Sequence, residues 1–236
     1  MAGRMLRSQA RSSMRAAKRA LKISVAIGLG SLAAGAAFAQ QPQLTPNPQR
    51  GQVLAYTCLG CHGIQGYRNA YPNYAVPRLR GQNEQYLISA LHEYKSGQRD
   101  YPTMRMQAMS LSDQDILDIA AYFSGKPLVA ASTAPKRPVP AAAAVCASCH
   151  GSEGIAVAPI YPDLAGQHAS YLTRAIQEYH NKDRQNPIMD SMAASLTRPQ
   201  IAAIVDYFSS LRPGLRTEPR PFFSWTDRQQ PLKSSE

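Results

Sequence analysis

The sequence predicts an all-α chain made of two tandem copies of one small domain. Pro77–Ser124 and Pro162–Ser209 align without a gap at an offset of 85, with 20 of 48 positions identical. "AYTCLGCHG" (Ala55–Gly63) and "AAVCASCHG" (Ala143–Gly151) repeat a second signature and hold all four cysteines. Apolar residues recur at helical spacing in both copies, and no stretch alternates convincingly as a strand would. A repeat this long is a tandem domain rather than a solenoid unit. The organisation that follows is 1–39, a signal peptide; 40–126, the first domain; 127–140, a Pro-rich linker; 141–211, the second domain; and 212–236, a tail.

The N-terminal element is justified by charge and length. Arg4, Arg7, Arg11, Arg15, Lys18, Arg19 and Lys22 precede any acidic residue, and "ISVAIGLGSLAAGAAFA" follows, ending in Ala37-Phe38-Ala39. A basic segment, an apolar core and an A-x-A site make a secretory signal, cleaved after Ala39. The alternative for the same residues is a retained anchor, which would hold the protein at the membrane. This 17-residue, largely apolar stretch is marginal against the roughly 20 residues that a span needs. The chain carries 26 basic and 15 acidic residues; without 1–39 the balance is 19 to 15, and no basic stripe is interleaved with aromatics. Nucleic acid is therefore not an expected partner. The expected location is the bacterial periplasm.

In the first copy, Gln49–Gly60 reads as a helix leading into the cysteine motif. Gln82–Ser96 carries Tyr86, Leu87, Ala90, Leu91 and Tyr94 on one face, with Gly97 suited to the C-cap. A last helix starts at Ser112, with Asp115 at N3 and Ile116, Ile119, Ala120 and Phe123 on one face. Pro127, Pro135, Pro138 and Pro140 make the linker semi-extended. Pro140 opens the equivalent segment of the second copy, and Thr197 with Gln200 at N3 opens its last helix as a closer capping box. The cysteine motifs stand 88 apart, so the first copy has three extra residues between His62 and Pro77. The tail has no counterpart in the first copy. Its prolines and charges suggest disorder, with "FFSW" (Phe222–Trp225) the one piece able to dock on a surface.

The chemistry sits in the cysteines. Exported thiols usually pair as disulfides, but here each C-x-x-C is followed at once by His. A redox C-x-x-C would expect a βαβ context, and a Cys₄ zinc site would leave both histidines without a role. Two C-x-x-C-H motifs that use every cysteine indicate two covalently bound c-type haems, on Cys58/Cys61 and Cys146/Cys149. Cysteines at i and i+3 share a helix face, so both sulfurs reach one haem edge. The next residue, His62 or His150, then meets the iron. A porphyrin also supplies apolar surface to halves too small for a large core.

A sixth ligand decides function, because histidine plus methionine favours electron transfer. Of Met104, Met106, Met109, Met189 and Met192, only Met104 and Met189 coincide at the offset of 85. They are the candidate axial ligands opposite His62 and His150; the others are read as packing or surface. A ligating histidine donates its second ring N–H to an oxygen, and the carbonyls of Pro77 and Pro162 are the candidates. His92, His168 and His180 are unmatched between the copies and read as exposed.

The pieces "CLGCHG" and "CASCHG", "P-x-L-x-G-Q" at Pro77 and Pro162, "P-x-M" at Pro102 and Pro187, and the closing "Y-F-S" resemble the diheme cytochrome c4 family of tandem class I cytochromes c. The resemblance covers about Gln49–Leu211. It implies two small all-α domains related by a pseudo-twofold, each with one His/Met haem, with the propionates facing across the interface. It also implies a periplasmic, one-electron shuttle and not an enzyme, with redox partners: a quinol-oxidising bc complex as donor and a terminal oxidase as acceptor. Alternatives are the cytochrome subunit of a periplasmic dehydrogenase and a diheme peroxidase. Arg78 and Arg80, in the first copy only, set the two haem surroundings apart.

Overall fold

The computed structural model describes residues 44–125, 127–129 and 137–220. The proposed signal segment and "FFSW" lie outside them. Among the described residues there are helices and three isolated bridges but no strand. The expected all-α class holds.

In the first copy the helices are α1 (Pro48–Leu54), α2 (Leu59–His62), α3 (Glu84–Ser96), α4 (Pro102–Met109) and α5 (Asp113–Ser124). The second copy has a 3-10 turn (Ala141–Ala143) running into α6 (Ala144–His150), then α7 (Ala169–Asn181), α8 (Pro187–Ala194) and α9 (Arg198–Ser210). The continuous helix expected over Gln49–Gly60 is instead two short helices joined by a turn. The short helices α4 and α8 were not anticipated. Each begins with Pro at its first position, where a missing N–H costs nothing. In α8 the Asn186 side chain accepts from the Ile188 and Met189 amides at 3.1 Å.

The capping signals are obeyed. Ser112 Oγ accepts from the Asp115 amide at 3.1 Å, and the Asp115 carboxylate accepts from the Ser112 amide at 2.9 Å. The Thr197 amide donates to Gln200 Oε1 at 2.9 Å. Gly97, at φ +86°, ends α3 in the left-handed region as expected.

Each copy has its own core. Ala55, Leu59, Leu87, Ile119, Ala120, Tyr122 and Phe123 form the first. Ala143, Leu172, Ile204, Val205, Tyr207 and Phe208 form the second. The Tyr–Phe pair closing each copy packs ring on ring, with centroids 5.1 Å apart in both. Gly51 is where α1 crosses α5, since a Cβ there would lie 1.9 Å from the Asp118 carbonyl oxygen.

The copies meet about a pseudo-twofold that passes between Arg99 and Arg184, which are matched in the repeat and bridge each other antiparallel. The Asp100 amide donates to the Asp183 carbonyl at 2.8 Å, and the Gln185 amide to the Gln98 carbonyl at 2.9 Å. Tyr86 and Tyr94, expected on the apolar face of α3, stack instead on the buried Arg99 guanidinium; Tyr171 and Tyr179 do the same for Arg184. Arg99 pairs with Glu93, and Arg184 Nε lies 2.6 Å from Glu178 Oε2, an ion pair at an angle unlike a hydrogen bond. Burial works against the charge on both guanidiniums, but the surrounding tyrosines outweigh it, so both stay charged.

Residues 212–220 depart from the disorder expected of the tail. The Leu215 amide donates to the Ala165 carbonyl at 2.8 Å, and its side chain is buried with Ala165 and Leu128 of the linker. Arg216 then pairs backbone to backbone with Arg80 of the first copy, at 3.0 and 3.1 Å. Glu218 reaches Arg80 Nε at 3.2 Å, and Arg220 sits 4.3 Å over the Tyr56 ring. The prolines that suggested disorder instead extend a segment that finds backbone partners on both copies.

Candidate functional site

Both cysteine motifs lie on helical backbone. Cys58 caps α2 and Cys61 lies within it, while Cys146 and Cys149 are both in α6. None of the four sulfurs is in a disulfide. Burial pushes the Cys58 and Cys146 thiols up, so they are held as neutral thiols. Among the described residues, no three of His, Cys, Asp and Glu gather into a metal-binding group, which leaves the Cys₄ zinc alternative without support.

His62 and His150 end α2 and α6, and both are buried. His62 Nδ1 donates to the Pro77 carbonyl at 2.8 Å, and His150 Nδ1 to the Pro162 carbonyl at 2.9 Å. A carbonyl only accepts, so the proton is on Nδ1 and Nε2 keeps its lone pair. Burial lowers both histidines below the usual imidazole range, and both are neutral at pH 7. Two sulfurs on one helix turn, followed by a neutral imidazole with a free Nε2, fit the attachment of a haem and the ligation of its iron.

The methionines differ in exposure. Met104 and Met189 occupy the third position of α4 and of α8, and both are half-buried. Met106, Met109 and Met192 are 67%, 55% and 40% exposed. Leu111 packs against the first core and Leu196 against the second. His92 and His180 are exposed, but His168 is not: it is half-buried and pushed down to about 4, by burial and by Arg78 and Arg68 of the first copy.

A family model described as cytochrome c matches residues 48–125 and 140–212, more than half of the chain. The chain belongs to the cytochrome c family. Within it, the match to cytochrome c4 is broad. Cytochrome c4 of Pseudomonas aeruginosa is 35% identical over 177 residues, covering 68% of this chain and 87% of that one. A crystal structure of reduced recombinant cytochrome c4 from Pseudomonas stutzeri shares 30% identity at a TM-score of 0.56, covering 71% of this chain and 100% of that one. A protein of Stutzerimonas stutzeri named thiosulfate dehydrogenase electron acceptor is 29% identical, covering 66% of this chain and 80% of that one. This cytochrome c is therefore a diheme electron-transfer protein and not an enzyme, with two covalently bound c-type haems as its cofactors. Among its described residues no helix is long and apolar enough to cross a membrane.

The sequence reading missed a set of buried polar residues between the copies. Gln82 and Gln167 end the two "P-x-L-x-G-Q" stretches, and each makes hydrogen bonds to backbone of the other copy. Arg99/Arg184 and Glu93/Glu178 were likewise identical at the offset of 85. Polar identity in a repeat was the available signal, because a polar residue kept in both copies has a shared partner to satisfy.

Proposed function

We propose that this cytochrome passes single electrons between periplasmic redox proteins through two His/Met haems. When bound, each haem would supply one-electron chemistry at its iron. Cys58 and Cys61 would tether one haem, and Cys146 and Cys149 the other. His62 and Met104 would hold the first iron, and His150 and Met189 the second. The matched histidine–proline bonds carry this reading: in both copies they fix the ring, leave Nε2 bare and resist rotation of the ligand. Two protein ligands on each iron would leave no open site for a substrate, which fits a carrier and disfavours a peroxidase.

Export to the periplasm with cleavage after Ala39 belongs to the same proposal, as do the domain limits 40–126 and 141–211. The proposed donor is a quinol-oxidising bc complex and the proposed acceptor a terminal oxidase. A second donor is favoured by a specific finding, the likeness to the thiosulfate dehydrogenase electron acceptor. On that reading a periplasmic dehydrogenase delivers the electrons.

Protein matured in a competent host should have the mass of the chain plus two haems, and its reduced-minus-oxidised spectrum should show low-spin c-type bands. A mass with one haem or none would end the proposal. Stopped-flow mixing with purified bc complex or with thiosulfate dehydrogenase separates the two donors by which one reduces the haems faster.

A further inference from the structure

We propose that each domain tunes the other domain's haem, through a glutamine that polarises the peptide bonded to the axial histidine. The inference rests on His62 and His150 being axial ligands. The peptide group joining Pro162 to Asp163 is engaged at both ends. Its carbonyl accepts from His150 Nδ1 at 2.9 Å, and its N–H donates to Gln82 Oε1 at 2.8 Å. The peptide group joining Pro77 to Arg78 repeats this across the pseudo-twofold. Its carbonyl accepts from His62 Nδ1 at 2.8 Å, and its N–H donates to Gln167 Oε1 at 2.9 Å. Each glutamine also donates Nε2 to the next carbonyl, Gln82 to Asp163 at 3.0 Å and Gln167 to Arg78 at 3.0 Å. Both are 4% exposed, so water does not compete for these bonds.

The relay has a defined sign. A peptide whose N–H is engaged carries more negative charge on its carbonyl oxygen, because hydrogen bonds in a chain polarise one another. A stronger carbonyl acceptor tightens the histidine Nδ1–H bond and raises the basicity of Nε2. A more basic axial nitrogen favours ferric iron and lowers the reduction potential. Gln82 therefore lowers the potential of the second haem, and Gln167 that of the first. The coupling needs no contact between glutamine and haem, and it disappears if the domains separate.

The crossing of the effect is what a merely structural role would not produce. A glutamine that only packs its own domain would disturb its own haem, or both alike. The test uses the full-length holoprotein with Gln82→Met or Gln167→Met, which preserve side-chain length and remove both hydrogen bonds. The two haem potentials are followed separately by NMR-monitored redox titration. The reduced-state histidine Nδ1–H resonances report the bonds themselves. Gln82→Met is expected to favour reduction of the second haem by about threefold, with a smaller change at the first. It should also move the His150 Nδ1–H resonance upfield. Gln167→Met should do the converse. Gln82→Glu, which keeps the acceptor oxygen, should leave the second haem at or below its wild-type potential, and it serves if the methionine variants fold poorly. A shift confined to the variant's own domain, an equal shift at both haems, no shift, or a Glu variant that behaves like Met would each overturn the proposal. A missing His/Met spectrum in the wild-type protein would instead remove the ligand assignment, and it is read before any variant is made.

Discussion

Met104 and Met106 lie two residues apart on α4, yet Met106 is largely exposed while Met104 is half-buried. On the proposed ligation the half-buried member holds the iron, so Met104→Ala and Met189→Ala should each open one iron to carbon monoxide, stoichiometrically and fast. Met106→Ala and Met192→Ala should bind as little as the wild type. If Met192→Ala bound carbon monoxide like Met189→Ala, the register argument would fail. Asp118 poses a different residue-scale question. It is fully buried on α5 and accepts from the Asn47 amide at 2.7 Å, from Arg50 Nη1 at 2.5 Å and from Gln114 Nε2 at 2.7 Å. Burial alone would raise its carboxyl, but these bonds outweigh it and hold it below the usual carboxylate range. A depressed folded value means the stabilisation is present above about pH 4 and is lost as pH falls through that lower value. Asp118→Asn should cost about 1–3 kcal/mol at neutral pH, since buried donors lose a charged acceptor. It should also flatten the acid limb of the stability–pH curve measured in urea. Ala203 stands at the matched position of the second copy, so that domain should not respond to acid in this way.

The crossing of α1 and α5 at Gly51 has no slack for a side chain. Gly51→Ala should force the helices apart and lower the urea midpoint, at a cost of about 1–3 kcal/mol. A midpoint equal to wild type would show that the crossing can relax. The longer helices α3, α5 and α9 are legible in sequence because each has an apolar face over at least three turns and a capping signal at one end, and α7 follows α3 through the repeat. Helices α4 and α8 are not. Their sequences, "PTMRMQAM" and "PIMDSMAA", run eight residues each, too short for a period to show. An initial proline and packing on α3 and α7 define them. The sequence places the stripe of α3 on one face, but Tyr86 and Tyr94 of that face belong to the interface with the other copy. Periodicity reports which face is covered, not by what.

The strap of residues 212–220 joins second copy to first after both repeats have ended. Leu215 is buried between Ala165 and Leu128, Arg216 pairs with Arg80, and Arg220 covers Tyr56 beside the first cysteine motif. Deleting Gly214–Glu236 should leave two covalent haems, because the cysteines and histidines lie outside the strap. It should also lower thermal stability by about 1.5–3 kcal/mol, the worth of one buried leucine side chain. Faster amide exchange at Arg80 should accompany the loss, and unchanged exchange there would show that the strap contributes nothing. By itself the sequence determined the duplication, the helical class, the two haem attachments and the methionines in register. Each is written in local spacing or in the identity of two aligned copies, which survive without a third dimension. Tertiary structure alone decided that Gln82 and Gln167 face the opposite domain, that paired arginines sit on the pseudo-twofold and that the tail is a strap. Those contacts join residues fifty or more apart in sequence, and no periodicity links such positions until the chain has packed.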